Sequence, residues 1–203
     1  MKKIICMLLA LLLMAGCLFA FASCDKDDPK DDEKEEQEDD KKQDKEDEKD
    51  NEKEDEKEDE IVIPEGYVAF SDGKITFAYP KSWTKTEGSI TMIQAMNGNN
   101  ITVAYEPKSD MYEKMTIDSY NATYKPIYES MGMVISNVKI EKKETNGQKV
   151  VVIRQDNVTN GVSMTQTQYI MAVGDRNYVV TVTEVADDAS LVETVFQTLK
   201  PVK

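Results

Sequence analysis

The sequence predicts an α+β domain: an antiparallel β-sheet of about six to seven strands flanked by helices. Three observations carry this. Asn97-Gly98, Asn146-Gly147 and Asn160-Gly161 each sit between apolar or alternating runs, and Gly174-Asp175 marks a fourth turn. Asn-Gly is the strongest short-range hairpin cue, because both residues tolerate the positive φ of type I′ turns. Val150-Val151-Val152-Ile153 is a continuous apolar run that suits a central strand covered on both faces. Two stretches near 116–132 and 190–199 show apolar residues at helical spacing.

Before the domain stand two regions of different composition. Residues 1–23 read as a secretory leader of the lipoprotein type. Lys2 and Lys3 make a short positive start, residues 4–16 are apolar, and small residues then precede a cysteine. Two cysteines compete as the lipidation site. Ala15-Gly16-Cys17 has the better small pair, whereas Cys24 is followed at once by Asp25-Lys26-Asp27-Asp28. Lipidation at Cys17 would leave Leu18-Phe19-Ala20-Phe21 as an apolar run at the membrane surface, so Cys24 is favoured. The region resembles the lipobox read by bacterial lipoprotein signal peptidase, which implies that the modified cysteine becomes the mature amino terminus. The alternative is an uncleaved anchor, since about 20 apolar residues span a bilayer. Two or three acyl chains hold a protein at a membrane where one would not, at roughly 0.8 kcal/mol per buried methylene.

Residues 24–60 are a lipidated cysteine followed by an acidic, Lys/Glu/Asp-rich spacer. No aliphatic or aromatic residue occurs over 25–60, so the segment has nothing to bury against its ordering entropy and is expected to be a disordered tether. Lys45, Lys49, Lys53 and Lys57 place like charges at i,i+4, which opposes a helix. Self-repulsion extends such a chain, to a reach on the order of 120 Å. The net charge of −14 belongs to this segment, because residues 1–24 carry +2 and residues 61–203 only −2. Its carboxylates offer calcium no fixed coordination geometry.

The globular domain is expected over 61–203, enough chain for one core. Strands are expected over about 75–79, 89–95, 101–106, 134–142, 148–156, 162–173 and 178–185. Between the third and fourth, Ile117, Tyr120, Tyr124, Tyr128 and Met131 form one helical stripe, with Pro126 expected to kink or split it. The last helix has Leu191, Val195 and Leu199 as its buried stripe. Ser190-Leu191-Val192-Glu193 resembles a capping box, with Asp187 or Asp188 able to cap one turn earlier, and Lys200-Pro201 ends it.

Gly73-Lys74-Ile75-Thr76-Phe77-Ala78-Tyr79-Pro80-Lys81-Ser82-Trp83 resembles the opening signature of PsbP-like and DcrB-like domains, and Phe196-Gln197-Thr198-Leu199-Lys200 is similar to their final helix and last strand. The resemblance spans most of residues 72–202 in element order. It implies an α/β/α sandwich around an antiparallel sheet, and a non-catalytic extracytoplasmic accessory protein, often a lipoprotein. Histidine metal ligands found in some members have no counterpart, because the chain has no histidine.

The residue inventory narrows the chemistry further. Without histidine, and with Cys6, Cys17 and Cys24 all in the leader region, His-based triads, cysteine nucleophiles and ordinary zinc sites are excluded from the domain. No Gly-rich phosphate loop occurs. The domain has no basic patch, so nucleic acid is not an expected partner. No cofactor, metal or catalytic residue is expected. Trp83 reads as a core anchor, and the domain's eight methionines as filler rather than Cu(I) ligands. Two features stand out as a possible ligand or partner surface. Thr165, Gln166, Thr167 and Gln168 make a strand polar on both faces, which suits an edge strand or, more sharply, a polar cleft or a partner-pairing edge. Tyr120, Tyr124 and Tyr128 suit helix-to-sheet packing with hydroxyls at water, or a groove lining. Together these readings point to a non-catalytic binding or accessory module of the cell envelope, anchored by lipid to the outer face of the bacterial membrane, with an envelope protein or small ligand as partner. The alternatives are a carboxylate-dependent envelope hydrolase and a purely structural envelope lipoprotein.

Overall fold

The structure is a computed structural model that describes residues 61–202. The leader, Cys17, Cys24 and the spacer lie outside the described residues. The elements run β1 (Tyr67–Ser71), β2 (Ile75–Pro80), β3 (Thr84–Thr86), β4 (Thr91–Gln94), β5 (Asn100–Pro107), a 3-10 turn (Tyr112–Lys114), α1 (Ile117–Ser130), β6 (Met133–Thr145), β7 (Gln148–Thr159), β8 (Val162–Val173), β9 (Arg176–Glu184), α2 (Ala189–Thr198) and β10 (Lys200–Pro201). All strand pairs are antiparallel. They form a seven-stranded sheet of order β3-β4-β5-β9-β8-β7-β6 and a three-stranded sheet of order β1-β2-β10. The fold is α+β, as the hairpin cues and helical stripes predict.

The turns show how the chain sets its register. Asn146 and Gly147 have φ of 48° and 70°, and Asn160 and Gly161 have 51° and 79°, the double positive φ of a type I′ hairpin. At Asn97-Gly98 only the glycine is left-handed (φ 93°). There the Asn97 side chain accepts the Asn99 amide, and the loop is correspondingly longer.

Alternation then decides the layers. Val150 and Val152 face one core, with Phe77, Ile101, Tyr169, Val180, Val182, Leu191, Val195 and Leu199. Val151 and Ile153 face a second, with Tyr112, Tyr120, Tyr124, Tyr128, Met133, Ile170 and Val179. The continuous apolar run of β7 is therefore buried on both faces, under α2 and the small sheet on one side and under α1 on the other. Trp83 is partly buried against the first core.

Four expectations are corrected. Thr165 to Gln168 do not lie on an edge: β8 is an inner strand between β7 and β9, and the edges of the large sheet are β3 and β6. Pro126 does not split α1, which runs unbroken from Ile117 to Ser130; the helix gives up the bond that the missing proline N–H would have made. Ile117 is 45% exposed rather than part of the buried stripe, since it sits in the first turn, ahead of the tyrosines that reach the sheet. Asp188, not Ser190, caps α2, accepting the Leu191 amide at 3.1 Å. No described helix is long and apolar enough to cross a membrane.

Candidate functional site

The polar run of β8 sends its side chains to two separate places. Gln166 and Gln168 point to α1. Thr165 and Thr167 point to the opposite face, at an end of the sheet where an open groove lies.

Register builds the groove row by row. Asp156, Thr165 and Glu184 are direct cross-strand neighbours on β7, β8 and β9, and Ser136 on β6 pairs with Asp156. The next row holds Lys139, Arg154, Thr167 and Val182. The first row floors a depression of about 480 Å³, with Val158, Val185 and Asp187 among its walls. Lys139, Arg154 and Thr167 of the second row line a smaller one of about 130 Å³ that continues past Tyr169 to Val192 and Phe196 on α2. A bulge falls between Ser136 and Lys139 in the edge strand β6. Within it Asn137 takes a φ of 52° and donates its amide to Asp156 Oδ2 at 2.7 Å. Bulges of this kind re-aim side chains at sheet ends.

The charges are anchored unequally. Asp156 accepts from Asn137 on one oxygen and from the Thr165 hydroxyl on the other, at 3.0 Å. Glu184 has a side chain only 2% exposed. Its Oε1 accepts the Asp188 amide at 3.0 Å, while Oε2 has no hydrogen-bond donor and lies 3.6 Å from Arg154 Nη1. Arg154 also donates to the Thr167 hydroxyl at 3.3 Å.

On the other face, Gln166 and Gln168 are 1% and 2% exposed. Tyr120 donates to Gln155 Oε1 at 2.7 Å. Gln155 donates to Asn157 at 3.1 Å and to Gln166 at 3.4 Å, Asn157 to Gln166 at 2.6 Å, and Gln166 to Thr183 at 3.3 Å. Tyr120, Tyr124 and Tyr128 are therefore buried in helix-to-sheet packing, and the Tyr120 hydroxyl ends on an amide rather than on water. Burial pushes the Tyr120 and Tyr128 hydroxyls above their usual ionisation range. The structure thus separates the two surfaces singled out in sequence, and of their seven residues only Thr165 and Thr167 line a groove.

Arg154, Asp156, Glu184 and Asp187 were not anticipated. A signal exists for the first two: along β7 the positions of one face run Val150, Val152, Arg154, Asp156, a switch from apolar to charged within a single stripe. Glu184 becomes visible only through the pairing of β9 with β8. Among the described residues, no group of three or more Asp, Glu, His or Cys side chains is arranged to hold a metal ion.

No protein-family model matches the sequence, and no curated protein sequence matches it. The fold has matches among solved structures. The chain is similar to the solution structure of the cyanobacterial PsbP protein CyanoP from Synechocystis sp. PCC 6803, with a TM-score of 0.53 and 13% identity over 69% of this chain and 95% of that one. Weaker likenesses are to a crystal structure from Bacteroides thetaiotaomicron VPI-5482 (TM-score 0.42, 15% identity, 64% of this chain and 45% of that one), and to LpqN, involved in cell envelope biogenesis of Mycobacterium tuberculosis (TM-score 0.40, 11% identity, 68% and 91%). The likeness to CyanoP establishes a PsbP-like fold and nothing finer; the other two add no weight.

Proposed function

We propose that this chain is a secreted lipoprotein, lipidated at Cys24 (or Cys17), whose PsbP-like domain is held on the acidic tether of residues 25–60 at the outer face of the bacterial membrane and works there as a non-catalytic binding module. The supporting observation is the groove: Asp156, Thr165 and Glu184 in one row, with one buried carboxylate oxygen left without a donor. Buried polar groups are normally satisfied, so a carboxylate oxygen beside a concavity that has only the Arg154 charge nearby, and no donor, supports a binding role for the groove. An envelope protein or a small ligand is the expected partner.

Intact mass spectrometry of the membrane-extracted chain tests the address. A mass beginning at Cys24 plus acyl chains supports it, and an unmodified, uncleaved chain overturns it. Binding is tested by placing a photoreactive residue at Thr165, or at Lys125 on the solvent side of α1, and irradiating intact cells. Adducts specific to position 165 support the reading, and identical patterns from the two positions overturn it.

One observation favours a second reading, a carboxylate-dependent envelope hydrolase: Asp156, Glu184 and Asp187 share one groove. General acid–base work needs two carboxyl groups placed across a substrate bond. Release of soluble fragments from isolated envelope, abolished by Asp187→Asn, would support it. Intact envelope after incubation would remove it.

A further inference from the structure

Two depressions meet at the open end of the sheet, and their charges differ in sign. The larger carries Asp156, Glu184 and Asp187. The smaller carries Lys139, Lys143 and Arg154 against Glu141 and Glu193, with Lys143 already bridged to Glu141 at 2.8 Å. Where the two meet, Arg154 and Glu184 face each other across 3.6 Å, longer than a hydrogen bond. Glu184 is buried while Arg154 is 42% exposed, so the guanidinium can swing away without disturbing a packed core. Leaving a buried carboxylate oxygen without a donor is unfavourable, and a better-placed cation would relieve it.

We propose that this groove binds short peptides with free termini, the ligand's ammonium taking the position beside Glu184 and its carboxylate pairing with Arg154. This rests on the reading of the groove as a binding site and adds the class of ligand. Thr165 and Thr167 are successive same-face positions of β8, one in each depression. Two residues of strand advance about 7 Å, and an extended dipeptide separates its terminal charges by about the same distance. Asp187 adds attraction at the ammonium end and Lys139 at the carboxylate end. Asp156 stays a structural floor, because Asn137 and Thr165 already donate to its two oxygens.

The test is calorimetric titration of the full-length protein in detergent with Ala-Ala, N-acetyl-Ala-Ala and Ala-Ala amide. Ala-Ala should bind saturably, and blocking either terminus should weaken binding about tenfold or more, the expected loss of one charge-assisted contact. Glu184→Gln should erase the preference for Ala-Ala over its acetylated form, and Arg154→Met the preference over its amide, with unchanged circular dichroism in both. Should either variant misfold, the exposed Asp187→Asn must still weaken Ala-Ala binding more than binding of the acetylated form. Blocked dipeptides that bind as tightly as Ala-Ala, or no binding at millimolar concentration, overturn the proposal. If crosslinks specific to position 165 persist in that case, the groove is still a binding site for another ligand. If they too are missing, both readings fall.

Discussion

Beneath α2 and the small sheet, the large sheet presents Ile101, Val103, Val150, Val152, Val180 and Val182, and the helix answers with Leu191, Val195 and Leu199. Beneath α1, the same three strands together with β8 present Thr102, Gln155, Gln166, Gln168, Thr181 and Thr183, all buried, and the helix answers with tyrosines. One face is therefore held by the removal of apolar surface from water, which is non-directional and tolerant of small shifts. The other combines apolar contacts with a hydrogen-bonded chain from Tyr120 through Gln155, Asn157 and Gln166 to Thr183. Such a chain contributes little net energy per bond but penalises any arrangement that breaks it. The comparison teaches that α2 supplies stability, whereas α1 is positioned by geometry.

The largest expected effect lies on the apolar face. Leu191→Ala, at a fully buried position, should cost about 3 kcal/mol through lost transfer energy and the cavity left behind, read as a drop in denaturant midpoint. A loss below about 1 kcal/mol would mean that this face does not dominate stability. On the polar face, Gln166→Leu should cost about 2 kcal/mol, because it strands the donors of Asn157 and Gln155 and removes the one to Thr183. Replacing the whole chain with apolar shapes (Tyr120→Phe, Gln155→Leu, Asn157→Leu, Gln166→Leu, Thr183→Val) should recover most of that loss, since satisfied and apolar interiors are close in energy. If the combined variant is the worse of the two, the chain contributes stability outright and the contrast between faces collapses. Asp188→Ala removes the cap of α2 and its bond to Leu191, and should cost about 1 kcal/mol in thermal unfolding.

The smallest effect sharpens the electrostatic side of the contrast. Glu106 on β5 sits half-buried beside the Tyr112 hydroxyl; burial raises its carboxyl above its usual 4.5, and the neighbouring hydroxyl offsets this only in part. Because the folded value lies above the unfolded one, the contribution to stability is full below pH 4.5 and is lost as pH rises through the folded value. Glu106→Gln should therefore raise the melting temperature at pH 7 more than at pH 4. Equal shifts at the two pH values would show that Glu106 is fully solvated.

Much of this fold was legible because it is written in local rules. The Asn146-Gly147 and Asn160-Gly161 turns, the doubly buried β7 and the two amphipathic helices each depend on residues within a few positions of one another. What escaped depends on distant partners. β3 is three exposed residues with no periodicity to read, held only by pairing with β4. β1 gains its meaning from the glycine turn into β2 and the stacking of Phe70 on Phe77 at 4.8 Å. Thr165 to Gln168 read as an edge because polar side chains on both sides normally mean solvent; here Asp156 and Arg154 meet them on one face and the buried amides on the other. The groove was hidden for the same reason: its carboxylates come from β7, from β9 and from the turn before α2, and only the register assembles them.

The three-stranded sheet has a mechanical consequence. β1 and β10 flank β2 and both run antiparallel to it, so they run in the same direction. Tyr67, where the chain enters, lies opposite Pro80, whereas Pro201, where it leaves, lies opposite Ile75. The two ends therefore emerge from opposite ends of this small sheet. Tension between them pulls β1 along its own axis, and the five residue pairs that join it to β2 bear the load together instead of parting one at a time. β10 is held by only two such pairs, Lys200 with Thr76 and Pro201 with Ile75, so a steady pull on both ends frees the last strand before the first.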